Sequence, residues 1–219
     1  LTANLLAPLG SGNLSQILSQ KDHLQYFTPR PFALNTTLNY QSNQSWEHQT
    51  SAFGTVDRLS YAIDGSYLDQ SGQRPNQNRD LRQGSIQLKY HWSPTDSLYI
   101  QVGTRREDGE DLKSYYDPND ASPSLRFESD QPANLLLGYH KEWSPNSHTM
   151  ILAARLQEDL MVSDTDPTIL FTPQSGGTPT RVETSPAYDL SLDSEFTLYS
   201  AEVQHLFSFH PHSLILGSR

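Results

Sequence analysis

From residue 57 onward, short and long connections alternate without a break between runs in which apolar and polar residues alternate. Residues 85–92 set Ile86, Leu88, Tyr90 and Trp92 against Ser85, Gln87, Lys89 and His91. The same two-residue period recurs at 32–41, 46–56, 59–68, 97–105, 134–143, 148–157 and 197–207, and again near the C-terminal Leu214 and Leu216. A period of two is that of a strand with unlike faces, so about nine strands are expected. Most run to about ten residues, against ~5–6 in ordinary sheets. In 148–157 the alternation places Met150, Leu152, Ala154 and Leu156 on the face that carries Leu135 and Leu137, with Arg155 on the other.

The links sort by length. Asp57-Arg58, Ser93–Asp96, Ser144–Ser147 and His210–His212 are tight. The links at 69–82, 106–132 and 159–195 are long and polar, and only "SNQS" at 42–45 is short at a long position. Three tight links share a device, in "WSPTDSL", "WSPNSHTM" and "FHPHSL": an aromatic, one small or polar residue, then proline. Proline presets φ for a turn and pushes its predecessor to extended geometry, which ends a strand. Pro94, Pro145 and Pro211 are unevenly spaced, which excludes a fixed-period solenoid or propeller.

Strands long enough to cross a bilayer, joined by tight turns at one rim and long loops at the other, describe an up-and-down transmembrane β-barrel. Its apolar face would meet outer-membrane lipid. Trp92, Trp143 and Phe207 would be interfacial anchors at the tight-turn rim, with Tyr40, Trp46 and Tyr67 near the other. The opposite face would line the interior with Lys89, His91, Arg105, His140, Glu142, Arg155 and Glu202, in cross-strand ion pairs or along a permeation path or ligand chamber. Net charge is −10, which argues against a nucleic-acid partner. The absence of cysteine excludes disulfides and thiolate metal sites.

Residues 1–31 read as a leader with a short amphipathic helix in 13–27, ended by "TPRP"; residues 32–219 read as the barrel segment. The chain begins at Leu1 and its last run stops inside a strand pattern, so a piece of a longer protein is expected. In the acidic link, Asp108, Asp111, Tyr115, Tyr116 and Asp117 are outer-loop ligand candidates. A solvated loop, a calcium site and aromatic-assisted capture all remain open for them. No nucleophile elbow, zinc helix motif or phosphate-binding glycine loop is present, so no catalytic residue, metal or cofactor is expected.

The aromatic–Ser–Pro turns at 92–94 and 143–145, the alternating strands and the sorted loops resemble a segment of a large bacterial outer-membrane barrel. The resemblance is to TonB-dependent-receptor-like barrels and to barrels that follow periplasmic tetratricopeptide repeats. The helix-plus-"TPRPF" start (14–32) favours the second type. It covers about residues 32–219 and is architectural; no plug motif accompanies it. It implies passage or uptake of a solute, or export of a polymer, with a periplasmic domain as a possible partner. Two rivals stand beside it. A soluble all-β module, such as a carbohydrate-binding one, would bury Leu135, Leu137, Met150 and Leu152 against a second sheet. A rim enzyme would need a histidine within reach of Ser or Asp in the outer loops.

Overall fold

The computed structural model describes residues 30–111, 122–165 and 189–218, with short pieces at 167, 169–171, 174–179 and 183–185. The helix expected in 13–27, and Tyr115, Tyr116 and Asp117, lie outside these residues. Nine strands form one antiparallel sheet: β1 (Ala33–Tyr40), β2 (Trp46–Val56), β3 (Leu59–Gln70), β4 (Arg79–Ser93), β5 (Asp96–Gly109), β6 (Arg126–Ser144), β7 (Ser147–Asp164), β12 (Leu190–Phe209) and β13 (His212–Ser218). Each pairs with its neighbour in sequence, so the sheet is up-and-down and open, with β1 and β13 as its edges. Within the β7–β12 connection, β8 (Ile169–Phe171) pairs with β11 (Glu183–Ser185), and β9 (Gln174–Ser175) with β10 (Thr178–Pro179).

All four tight turns lie at one end of the sheet, and Trp92 and Trp143 lie at that same end. In each of the two Trp-Ser-Pro turns the serine hydroxyl bonds locally. Ser93 Oγ accepts the Thr95 N–H at 3.1 Å, and Ser144 Oγ accepts the Asn146 N–H at 3.4 Å. A hydroxyl bonding the amide two residues on closes such turns. The third turn is built differently. Pro211 is the second turn residue, not the first, and follows a cis bond from His210.

Both tryptophans occupy β-bulges. The β4–β5 register shifts between His91 and Ser93, and the β6–β7 register between Glu142 and Ser144, so Trp92 and Trp143 have no direct partner in those ladders. A one-residue shift moves every side chain of a strand to the other face relative to its neighbour. Beyond the bulge, Tyr139 faces Ile151, Leu137 faces Ala153 and Leu135 faces Arg155. The expectation that Met150 and Leu152 share a face with Leu135 and Leu137 is therefore corrected, and Arg155 lies on the Leu135 face. A third irregularity falls at Gln131–Asn134, where Pro132 has no N–H to give the ladder.

The strands on the long-connection side also exceed expectation. β4 to β7 and β12 span 14 to 20 residues, and the links shrink to 71–78, 110–125 and 165–189. The added lengths carry charges that bond across strands. Arg106 pairs with Glu128, and Arg79 Nε donates to Glu107 Oε1 at 2.6 Å. The nearby carboxylates of Glu128 and Asp108 hold the Arg106 guanidinium above its usual pKa. The long connections are tied together in turn. Asn76, at φ 54, donates to the carbonyls of Ser122 at 2.6 Å and Leu125 at 3.0 Å.

The β6–β7 register is open to a direct test, because the chain has no native cysteine. Directly opposed residues bring their Cβ atoms to ~4.5–5.5 Å. Leu137→Cys with Ala153→Cys is expected to form a disulfide under mild oxidation, and Leu137→Cys with Ala154→Cys is not. Non-reducing peptide mapping reads the outcome.

Candidate functional site

The register sorts the sheet into two unlike faces. Cross-strand rows on one face read Leu59–Tyr90–Leu98–Tyr139–Ile151–Val203, Tyr61–Leu88–Ile100–Leu137–Ala153–Ala201 and Ile63–Ile86–Val102–Leu135–Arg155–Tyr199. Rows on the other read Ser60–Lys89–Tyr99–Gly138–Leu152–Glu202, Ala62–Gln87–Gln101–Leu136–Ala154–Ser200 and Asp64–Ser85–Gly103–Asn134. Burial runs against the polarity usual in water. Trp143 (66% exposed) and Tyr199 (72%) stand out from the apolar face, as do Leu38, Ile63, Ile86 and Val203. Ala62, Tyr99, Met150, Leu152 and Lys89 are buried on the mixed face.

The mixed face is concave. One pocket of about 430 Å³ touches residues of seven successive strands, from Asn35 on β1 to Leu156 on β7. Seven strands laid flat would span about 29 Å, so the sheet curls around that pocket. Polar side chains line it. Asp64 accepts from Ser51 Oγ at 2.6 Å and from Ser85 Oγ and Gln87 Nε2 at 3.3 Å. Asn134 Nδ2 donates to Gln131 Oε1 at 3.0 Å, while Asn134 Oδ1 accepts the Gln157 N–H at 2.8 Å. Arg105 donates to Glu107 through Nη2, and its buried Nε has no partner among the described residues.

Toward the tight turns the concavity is filled. Tyr99 (0% exposed), Met150 (1%) and Leu152 pack together, with Leu206 against them. Gly138 is buried and stands between Tyr99 and Leu152 in its row. The Tyr99 hydroxyl donates to Gln101 Oε1 at 2.6 Å, so the floor joins the polar wall above it. His140 and His148 stack below the floor at 5.3 Å and share a 3.0 Å hydrogen bond. Of the seven residues expected to face one interior, Lys89, His91, Arg105, His140, Glu142 and Glu202 lie on the concave face. Arg155 lies on the other face and donates to Gln157 Oε1 at 2.7 Å.

The apolar face ends in a bonded ring of side chains at the tight-turn rim. Trp92 stacks on Tyr139 at 5.6 Å, and Tyr139 Oη donates to Asp96 Oδ1 at 2.7 Å. Lys141 Nζ donates to Asp96 Oδ2 at 2.8 Å and lies over the Trp143 ring. Trp143 Nε1 donates to Thr149 Oγ1 at 2.8 Å, which bonds His205 Nδ1 at 2.7 Å. His205 packs on Phe207 with ring centroids 4.0 Å apart. Contacts thus run without a gap from β4 to β12. Arg58 adds a bond to the Trp92 carbonyl at 3.0 Å. Sequence reading singled out Trp92, Trp143 and Phe207 but not the Asp96, Lys141, Thr149 and His205 links. Those needed the register.

The apolar belt runs obliquely to the rows. The row Tyr40–Trp46–Asp69–Asp80–Asp108–Glu128 is aromatic at β1 and β2 and acidic by β5 and β6. On β12 the belt runs to Phe207 and Phe209, beside the tight turns. Along a strand it spans about eight residues, Leu59 to Tyr67 or Leu135 to Trp143, roughly 27 Å. Of the outer-loop candidates, Asp108 sits in this acidic row. Asp111 is fully buried, and its Oδ2 accepts the Ser122 N–H at 2.8 Å. Asp164 plays a similar part, accepting from Ser122 Oγ at 2.8 Å and from Ser124 Oγ. Among the described residues no group of His, Asp and Glu has the geometry to hold a metal ion.

The floor is expected to be sensitive to volume in both directions. Leu152→Ala should lower unfolding stability by about 2–5 kcal/mol through a cavity. Gly138→Leu should lower it by about 1–3 kcal/mol through overpacking against Tyr99. Denaturant titration of the refolded chain measures both. No protein-family model matches this chain, and no curated protein sequence matches it.

Proposed function

We propose that this chain forms part of the wall of a transmembrane β-barrel in a bacterial outer membrane, with its apolar face on lipid and its concave polar face toward a solute path. One observation carries the reading: large apolar side chains are exposed on the convex face, while polar side chains and the buried cluster share the concave face. Monomers folded in water rarely expose apolar patches beyond a few hundred Å². Lipid removes that penalty.

Three further features support it. The belt length of about 27 Å along the strand, at the ~35–45° tilt of such barrels, gives a height of about 19–22 Å, a little below the ~25 Å of an outer-membrane apolar band. Obliquity of the belt to the cross-strand rows is what tilted strands require. The Trp92–Tyr139 and Lys141–Trp143 contacts fit the headgroup level, where rings with one wet edge are favoured. The charged ends of β4–β7 and β12 would then stand outside the bilayer and carry the longer connections. The function is passage, uptake or export of a polar solute or polymer along the concave face, with the outer connections controlling access.

A soluble all-β binding module is the second reading. It needs a partner layer over Leu135, Leu137, Ile86 and Val102. Among the described residues one sheet is present in this region, and Leu137 is 40% exposed.

Insertion into lipid vesicles with slower gel migration after boiling is the expected behaviour. Folding in buffer as a monomer without detergent would exclude the membrane reading. Lysine placed at Ile86 or Leu137 should cost about 2–4 kcal/mol of stability in vesicles. Lysine at Gln101, on the concave face, should cost well under half of that.

A further inference from the structure

The chemistry of the concave pocket points to a class of solute. We propose that it accepts a neutral, hydroxyl-rich solute of the oligosaccharide class; this rests on the membrane-barrel reading above. Six carboxamides line the pocket: Asn35, Gln49, Gln83, Gln101, Gln131 and Asn134. They come from β1, β2, β4, β5 and β6, so the curl of the sheet is what gathers them. Each carboxamide offers an acceptor and two donors. A sugar hydroxyl is itself both donor and acceptor, and adjacent carboxamides can satisfy both roles at once. Ser51, Ser66 and Ser85 extend the same chemistry between them.

Fixed charge is balanced in this wall. Asp64 and Arg105 are the charged residues among those lining the pocket, one of each sign. Asp64 is held by Ser51, Ser85 and Gln87, and Arg105 by Glu107. With one charge of each sign in the same wall, a charged solute that meets its counter-charge also meets its like charge, and its lost hydration is not made good. A solute with hydroxyls exchanges water for carboxamides at little loss. Donors remain for it. Gln101 uses its Oε1 for Tyr99, Gln131 uses its Oε1 for Asn134, and Arg105 Nε has no partner among the described residues. Leu136 and Leu156 are the pocket's larger apolar side chains, which offers little to a peptide with apolar side chains.

The pocket is also floored. Tyr99, Met150 and Leu152 close it toward the tight turns, and Gln101 belongs to both wall and floor through its bond to the Tyr99 hydroxyl. A solute held by the carboxamides therefore rests above a packed layer. At about 430 Å³ the pocket lies within the ~300–1,000 Å³ range of small-molecule sites.

Calorimetric titration of the full chain, folded in detergent micelles, tests this with four kinds of probe. These are the neutral tetrasaccharides maltotetraose and cellotetraose, the anion tetragalacturonate, the cationic tetramer of glucosamine, and tetraglycine. Saturable binding of at least one neutral tetrasaccharide is expected, about tenfold tighter than the charged tetramers and tetraglycine. Gln83→Leu with Gln101→Leu should weaken it about tenfold. Tyr199→Phe, on the convex face, should leave it unchanged. Unaltered gel migration of the double variant separates lost binding from lost folding. Equal binding of all probes, preference for a charged tetramer, tighter tetraglycine, or no binding by a chain that still inserts into vesicles would overturn the proposal and leave the membrane reading standing. Failure to insert would instead remove the membrane reading.

Discussion

The one-residue bulges at Trp92 and Trp143 are the constraint on which the rest of this sheet depends. Each sits beside a tight Ser-Pro turn, where the serine hydroxyl fixes the turn and the tryptophan is left out of the ladder. Without the first bulge, Ser93 opposite Asp96 would carry on to place Tyr90 opposite Tyr99. With it, Tyr90 meets Leu98 and Leu88 meets Ile100. The second bulge likewise sets Leu137 against Ala153 and sends Met150 and Leu152 to the concave side. Face segregation in this protein is thus a matter of register, and register is set at the rim.

The consequences spread along both faces. On the concave side, the shift stacks Tyr99, Gly138 and Leu152 in one row and builds a packed floor. Above it the same parity gathers carboxamides from five strands around a pocket. On the convex side the bulged tryptophans meet Tyr139, Lys141 and Thr149, so the residues that set the register also tie the rim together. The other end is held by different means. There, Arg106, Arg79 and Arg126 bond carboxylates across strands, and buried Asp111 and Asp164 hold the connection at Ser122.

Much of this was legible in the sequence. Apolar–polar alternation located the strands, and the alternation of link lengths gave the up-and-down order and the shared end of Trp92 and Trp143. Three things were not legible. "MILAA" at 150–154 is apolar on both faces, so alternation could not choose between Met150 and Ile151 as the convex residue. A bulge has no local signature beyond the turn it adjoins, so Arg155 was assigned to the wrong face. The charged segments "REDGE" at 106–110 and "RFESD" at 126–130 read as loop because their stabilising partners lie on neighbouring strands, out of view of any local pattern. Pro132 was the one visible hint of irregularity within β6.

The most direct test combines register with environment. Single-cysteine variants at Met150, Ile151, Leu152 and Ala153, spin-labelled and reconstituted into lipid vesicles, report oxygen and nickel-chelate accessibility by electron paramagnetic resonance. A lipid-facing convex surface predicts high oxygen and low nickel accessibility at 151 and 153, and a packed concave floor predicts low accessibility to both at 150 and 152. High oxygen accessibility at 150 and 152, or free nickel access at 151 and 153, would contradict both the register and the membrane placement.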